Sequence, residues 1–370
     1  MAEHPPSVLF IDDNEEELHA TAQALRGTSD LKVASATPTE LTIADLDGVD
    51  LVLVDLELKL DGESFLTAPD GVALASVLRR RLVKRTQPIG FAILTSQPQL
   101  LADPLPPTNR QPLLAAQHNL EWVFTKGEPD WRQRVASLAH AIQSIPSAWG
   151  DGIDNVAEVA PQLGVEGSDD AAQVWEIVER ARPPIYEFSS WSHGLAFVRW
   201  LAHMALPYPG FLWDSHRLAA RWRVTHAAFE QSFVECPALV EWLSDARYTG
   251  LLSDFSGRRW WRHRIEQLVW DATDGDAQNV EALRGAISAK AGRSLEPTEQ
   301  AQPIVVVDGD MRPQSVFAST AEAARIQPDG WPVSADPAWM RLSDLKPGSP
   351  FRRLVIDEDR EKLPGGGADA

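Results

Sequence analysis

Four short runs of apolar residues stop abruptly on a residue that can bind or react. Residues 7–11 (SVLFI) stop at Asp12, Asp13 and Asn14, and residues 49–54 (VDLVLV) at Asp55. Residues 89–94 (IGFAIL) stop at Thr95, and residues 121–125 (EWVFT) at Lys126. Runs that are apolar on both faces must be covered on both sides, which is the signature of a parallel sheet. Helical segments fall between them. Residues 15–26 place Leu18, Ala22 and Leu25 on one face, residues 71–83 form a second helix, and residues 130–143 a last one. A weaker strand is predicted over 31–35. The chain from 1 to 145 is therefore predicted to be an α/β domain, a doubly wound five-stranded parallel sheet. Five helices fit if the one after the second strand is short and the Leu113 to Ala116 region supplies the fourth.

In an open parallel sheet the ligand site lies at the carboxyl ends of the strands. That edge collects Asp12, Asp13, Asp55, Thr95 and Lys126. Three carboxylates so close repel one another, and a hard divalent cation is the usual remedy. The lysine adds a mobile positive charge and the threonine a hydroxyl donor. Such a set suits phosphoryl transfer onto a carboxylate, with Asp55 as the nucleophile and Lys126 offsetting charge on the transferring oxygens. Any one of these residues alone is explained as a strand-end cap or a turn residue. Five at the right strand ends are not.

The set resembles the receiver domains of response regulators in two-component signalling, a CheY-like or flavodoxin-like fold. Their pattern is an acidic pair after the first strand, the phosphoacceptor aspartate after the third, threonine or serine after the fourth and lysine after the fifth. The resemblance implies that Asp55 accepts the phosphoryl group. It implies Mg²⁺ held by Asp13, Asp55 and the backbone carbonyl of Glu57, with Asp12 acting through water. Thr95 would hydrogen-bond to the phosphoryl group and Lys126 would pair with it. The implied partner is a sensor histidine kinase or a phosphotransfer protein. Homodimerisation is expected through the face formed by the fourth and fifth helices and the strand between them. The chain departs from the pattern in several places. A glycine normally lies about eight positions past the phosphoacceptor, but here Asp70-Gly71 lies 15 and 16 positions beyond Asp55, which implies an insertion in the loop 56–69. The stretch from Thr95 to Lys126 is long and carries a proline-rich segment. Val123 stands where an aromatic is common, with Phe124 beside it, and Gly127 stands where proline is usual.

The remainder matches no output module. Residues 146–170 carry six acidic and no basic residues and read as an acidic linker. Residues 171–292 read as a helical, tryptophan-rich output domain, with helices predicted over 171–181, 191–205, 214–234 and 258–270 and a break at Pro207 to Gly210. Residues 303–360 read as a small mixed α/β region, with strands at 304–307 and 351–356 and a short helix at 320–326. Residues 361–370 read as a disordered tail. The tryptophans, Trp191, Trp213, Trp222, Trp260 and Trp261 among them, either pack a core or line a ligand pocket. His226 and Glu230 could share a helix face, but no second pair completes a metal-ligand set. Asp308 and Asp310 read as turn residues.

The formal net charge of −19 disfavours nonspecific affinity for nucleic acid or anionic membrane. Residues 171–290 are near neutral, with 13 basic and 14 acidic residues, so the arginine-rich run Arg258 to Arg264 is read as amphipathic, its stems covering apolar surface. Cys236, the only cysteine, cannot form an internal disulfide and is expected to be a buried small hydrophobe in a reducing cytoplasm. No signal peptide and no membrane-spanning run is expected. The reading is a response regulator that accepts a phosphoryl group on Asp55 and signals through a helical module by protein or small-ligand contacts, without reading DNA directly. Two alternatives stay open. One is a phosphorylation-independent scaffold or sensor on the receiver fold, and the other is an enzyme gated by the receiver.

Overall fold

The computed structural model describes residues 4–28, 30–58, 68–82, 88–101, 111–145, 159–184, 194–328 and 331–363. Two compact units divide the chain, residues 1–207 with 250–256, and residues 208–249 with 257–370. The helical region expected at 171–292 is thus shared between them.

The first unit holds the parallel sheet. Its strands are β1 (Ser7–Ile11), β2 (Lys32–Ala36), β3 (Leu51–Asp55), β4 (Gly90–Thr95) and β5 (Trp122–Thr125), in the order β2-β1-β3-β4-β5. All four pairings are parallel. β3 and β4 are buried along their whole length, as continuous apolar runs require, whereas β2 is an edge strand and only partly buried. Around the sheet run α1 (Glu15–Arg26), α2 (Gly71–Arg81), α3 (Gln111–Gln117) and α4 (Trp131–Ser144). The helix expected to be short after β2 is a single 3₁₀ turn, Ile43–Leu46. Asn14 starts α1 by accepting hydrogen bonds from the backbone N–H groups of Glu16 and Glu17, and three glutamates in its first turn suit the helix dipole. Asp70 caps α2 in the same way, at 2.8 Å from the N–H of Ala73. The same unit continues into α5 (Ala171–Glu179) and α6 (Leu195–Trp200), the latter running on as a π-helical turn, Leu201–Ala205. It ends before Pro207 as predicted. Trp191 and residues 146–158 of the expected linker lie outside the described residues.

The second unit packs helices around tryptophans. The single helix predicted over 214–234 is two, α7 (Ser215–Arg221) and α8 (His226–Glu235). Arg223 adopts a left-handed φ of 59°, and Thr225 then caps α8. Leu218, Trp222, Phe229 and Phe233 still share one core, which is why the periodicity suggested one helix. α9 (Pro237–Trp242), α10 (Arg262–Ala272) and α11 (Val280–Ala291) complete this core. The start of the predicted 258–270 helix is instead a strand, β7 (Trp260–Trp261), paired antiparallel with β6 (Leu212–Trp213). Trp222, Trp260 and Trp261 are fully buried, Trp222 and Trp260 within the same apolar core.

The expectations for the tail region reverse in part. Residues 320–326 form no helix but contain β8 (Ala323–Ile326), paired antiparallel with β9 (Ala338–Arg341). Residues 351–356 form no strand. Pro350–Leu354 is a 3₁₀ turn, Pro350 at its start favouring helical dihedrals, and only Val355 bridges to Ile326. Ile304 and Val307 make isolated bridges rather than a strand. Asp357–Lys362 is a further 3₁₀ turn pinned by buried Asp359, which accepts hydrogen bonds from Arg325, so residues 361 and 362 are ordered. Residues 364–370 of the expected tail lie outside the described residues. Cys236 is half-buried rather than buried, its thiol 3.1 Å from the carbonyl of Lys290.

Candidate functional site

The register of the sheet brings the strand ends level. Ile11 is opposite Val54, Asp55 opposite Leu94, and Thr95 opposite Thr125. Asp12, Asp55, Thr95 and Lys126 therefore converge at one edge. The backbone N–H of Lys126 donates to the carbonyl of Thr95 at 2.9 Å, which fixes where the lysine leaves β5. Its ammonium lies 2.8 Å from Asp55 Oδ1 and 3.8 Å from Asp12 Oδ2. Asp55 Oδ2 accepts from the backbone N–H of Glu57 at 2.9 Å, so the carboxylate is oriented from both sides.

Two residues that the sequence did not single out join the site. Glu17 accepts from the Lys126 ammonium at 2.7 Å, and its carboxylate groups with those of Asp12 and Asp55, the three offering oxygens all within 4.8 Å of one another. Asp13, expected in the metal set, is half-buried and is not part of that trio. The clue to Glu17 lay in chain order, because the first turn of a helix that follows β1 must start at the carboxyl edge of the sheet. Gln97 is the second. Its backbone N–H donates to Thr95 Oγ1 at 2.9 Å, and its side-chain amide donates to Glu57 at 3.0 Å.

Burial sets the electrostatics. It pushes the Asp12 carboxyl up to about 6, helped by the nearby charges of Asp55 and Glu17 and opposed by the Asn14 N–H and Lys126. Burial also raises Asp55, against the hydrogen bond and charge of Lys126. Burial alone would lower Lys126, but its hydrogen bonds to Asp55 and Glu17 outweigh that and hold it above the ordinary lysine value. Asp12 Oδ2 is buried without a hydrogen-bond partner. An orphaned carboxylate oxygen beside two further carboxylates is the donor set a hard divalent cation takes, so the residues fit Mg²⁺.

Gly71 accounts for the shifted glycine. A Cβ there would fall on the carbonyl oxygen of Asp55, and the Gly71 N–H donates to the carbonyl of Leu56 at 3.0 Å. The glycine thus comes 16 positions after Asp55, later than the pattern has it, and the chain still needs glycine to pass the Asp55 carbonyl. Residues 59–67 of the intervening loop lie outside the described residues.

The other candidates resolve as structure. His226 lies 3.7 Å from Glu230, as the helix face suggested, but it stacks on His216 and hydrogen-bonds to Ser215 and Ser315. No metal-ligand group among the described residues includes a histidine. Asp308 accepts from the backbone N–H groups of Asp310 and Arg312, which is a turn.

No family model matches the sequence, and no curated protein matches it. Solved structures do. A response regulator receiver domain from Clostridium thermocellum is 17% identical, with 37% of this chain and 93% of that one covered at a TM-score of 0.27. The isolated receiver domain of RcsB from Salmonella enterica serovar Typhimurium, solved with a phosphomimetic, is 17% identical over 36% of this chain and 88% of that one, at 0.26. The receiver domain of the Saccharomyces cerevisiae response regulator Ssk1, solved with the phosphotransfer protein Ypd1, is 15% identical over 39% and 94%, at 0.28. At such identities the likeness is one of fold. The all-parallel strand order β2-β1-β3-β4-β5 with flanking helices gives the amino-terminal part of the chain a CheY-like receiver fold.

Proposed function

We propose that the chain is a response regulator in which Asp55 accepts a phosphoryl group. The observation that carries the reading is the Lys126 ammonium, 2.8 Å from Asp55 at a strand edge where Asp12 keeps a buried oxygen that accepts no hydrogen bond. An Asp55 carboxylate oxygen attacks phosphorus, the bond from phosphorus to the donor's leaving atom breaks, and an acyl phosphate forms. Lys126 then pairs with the phosphoryl oxygens, which requires it to loosen its hold on Asp55. The hydroxyl of Thr95, now accepting from Gln97, donates to the phosphoryl group. Asp12, Asp13, Asp55 and the carbonyl of Glu57 would hold Mg²⁺, which would supply charge neutralisation, and Glu17, whose carboxylate groups with those of Asp12 and Asp55, could join them. The donor is a histidine kinase or a phosphotransfer protein, because a phosphohistidine N–P bond is labile enough to pass its phosphoryl group to a carboxylate.

The test is intact-mass analysis of the full chain with a small acyl phosphate and Mg²⁺. One phosphoryl adduct is expected, absent in Asp55→Asn. A folded protein that takes no adduct at millimolar Mg²⁺ would instead be the phosphorylation-independent scaffold. Among the described residues no helix is long and apolar enough to cross a membrane.

A further inference from the structure

The contacts that keep His226 out of a metal site set both of its ring nitrogens beside hydroxyls. Nε2 lies 2.9 Å from the Oγ of Ser215, the first residue of α7, and Nδ1 lies 3.1 Å from Ser315 Oγ. Glu230, one turn further along α8, brings a carboxylate oxygen to 3.7 Å from Nε2 and is itself paired with Arg258. A neutral imidazole carries one N–H, and a carboxylate beside Nε2 draws it to that nitrogen. Nε2–H then donates to Ser215, and Nδ1 keeps a lone pair that accepts from the Ser315 hydroxyl. Burial pulls His226 below the ordinary histidine value, against the charges of Glu230 and Asp214, so that lone pair is free at neutral pH. His216 stacks on the ring, 3.6 Å between centroids, and fixes its plane. Ser315 is exposed, and the chain on either side of it is pinned. Val307 bridges Pro313, Ile304 bridges Ala318, and Arg341 donates to the carbonyl of Val316 at 2.8 Å. Val316 itself is 70% exposed, and its N–H donates to no acceptor among the described residues.

We propose that Ser315 and His226, positioned by Glu230, form a second catalytic centre, a serine hydrolase site for carboxylic esters with a small acyl group. Ser315 Oγ attacks the ester carbonyl carbon while its proton passes to His226 Nδ1. Nε2–H stays between Ser215 and Glu230, whose charge offsets that of the imidazolium. The Val316 N–H is the donor for the oxyanion, a task that falls to the residue after the nucleophile in other centres of this kind. The bond from the carbonyl carbon to the alkoxy oxygen then breaks, and the alcohol leaves with the Nδ1 proton. Water attacks the acyl-serine and gives a proton to Nδ1. The bond from carbon to Ser315 Oγ breaks, the oxygen takes that proton back, and the carboxylic acid departs. One exposed valine beside the nucleophile offers an acyl chain little apolar contact, which limits the substrate to short chains. The centre lies within the second unit and does not rest on Asp55 as acceptor.

A fluorophosphonate probe on the full-length protein tests the proposal, because an activated serine displaces its fluoride and an ordinary surface serine does not. Peptide mapping is expected to find one adduct, on Ser315, and p-nitrophenyl acetate is expected to be hydrolysed faster than in buffer. Ser315→Ala, at an exposed position where the fold loses little, removes both. His226→Gln is expected to slow labelling about 100-fold or more. Glu230→Gln is expected to lower kcat for the ester about tenfold with KM unchanged, since the carboxylate acts through His226 and touches no substrate. If the three hydrogen-bonding groups only tie α7, α8 and the 313–318 segment together, the folded wild-type protein takes no adduct, and the proposal is overturned. Labelling that proceeds at the wild-type rate in His226→Gln, or ester hydrolysis that persists in Ser315→Ala, overturns it as well. An adduct on Ser215 overturns Ser315 as the nucleophile, because the imidazole would then carry its proton on Nδ1. An unchanged kcat in Glu230→Gln removes Glu230 from the centre.

Discussion

Lys126 shows how much the chemistry of this site turns on single contacts. Its ammonium is shared between Asp55 and Glu17, so a phosphoryl group arriving at Asp55 must compete with Glu17 for it. Glu17→Gln removes that competitor and one negative charge from the path of an anionic donor. Phosphorylation by a small acyl phosphate at saturating Mg²⁺ is expected to quicken severalfold, read as the rate of adduct growth; a slower rate would place Glu17 among the groups the reaction needs. Asp12 sets a pH dependence. Its folded-state pKa of about 6 lies above the ordinary value of 3.8, so the folded protein holds the proton more tightly than the unfolded chain. In metal-free protein, stability then falls as pH rises from about 4 to about 6, by at most about 3 kcal/mol, and the cost is complete above that window. Mg²⁺ prefers the ionised carboxylate, so the rise in Tm on adding it is expected to be larger at about pH 7 than at about pH 5. An equal rise at both, by calorimetry, would mean that Asp12 does not face the ion. Four of the strand-end residues were legible in sequence because strand ends are marked by a switch from apolar to polar. Chain order puts Glu17 at the right edge without saying which first-turn residue leans over the site, and Gln97 lies in a loop where nothing distinguishes such a residue from one facing water.

The elements were legible where pattern and packing agree. β1, β3, β4 and β5 are near-continuous apolar runs, and each ends where the pattern placed it, within a residue. The second unit was harder because the same apolar spacing serves one helix or two that meet in a common core. Arg223 at a positive φ and the Thr225 cap divide α7 from α8, and neither an arginine nor a threonine announces a helix break. Residues 320–326 have no alternation strong enough to declare a strand, and β8 exists because β9 pairs with it from 12 or more positions away. Gly71 is the element-scale test of the insertion. α2 begins against the Asp55 backbone, so Gly71→Ala forces either the helix or the strand to move. A loss of about 2–4 kcal/mol in urea unfolding is expected, together with slower phosphorylation, because the displaced atoms belong to Asp55, the proposed acceptor. A neutral substitution would mean that the late return of the chain leaves slack at this contact.

On the scale of the whole molecule, charge decides what the chain can bind. The net charge of −19 sets a repulsive field for any polyanion, so DNA binding would need a local cluster of free cations. Arg258 to Arg264 is an arginine run dense enough to raise the question, as is Arg79 to Arg85, and the members of the first are occupied. Arg258 pairs with Glu230 and lies over the ring of Phe233 at 4.1 Å. Arg262 pairs with Asp336 and lies over Trp213 at 5.0 Å, and Arg264 donates to the carbonyl of Asp245. Burial pulls Arg259 below the usual arginine value, against the charge of Asp214, and its guanidinium is spent on the carbonyls of Gly257 and Arg258. To neutralise a phosphate, each would have to leave an aromatic face, an acid or a backbone carbonyl, and that exchange gains little. An anisotropy titration of the full chain with duplex and single-stranded DNA at about 50 mM salt is therefore expected to show no sub-micromolar binding, phosphorylated or not. Tight binding that weakens steeply with salt, and that Arg258→Ala with Arg262→Ala abolishes, would mean that these side chains exchange their partners readily. The acidic field would then be no barrier, because counterion release from the nucleic acid would outweigh it.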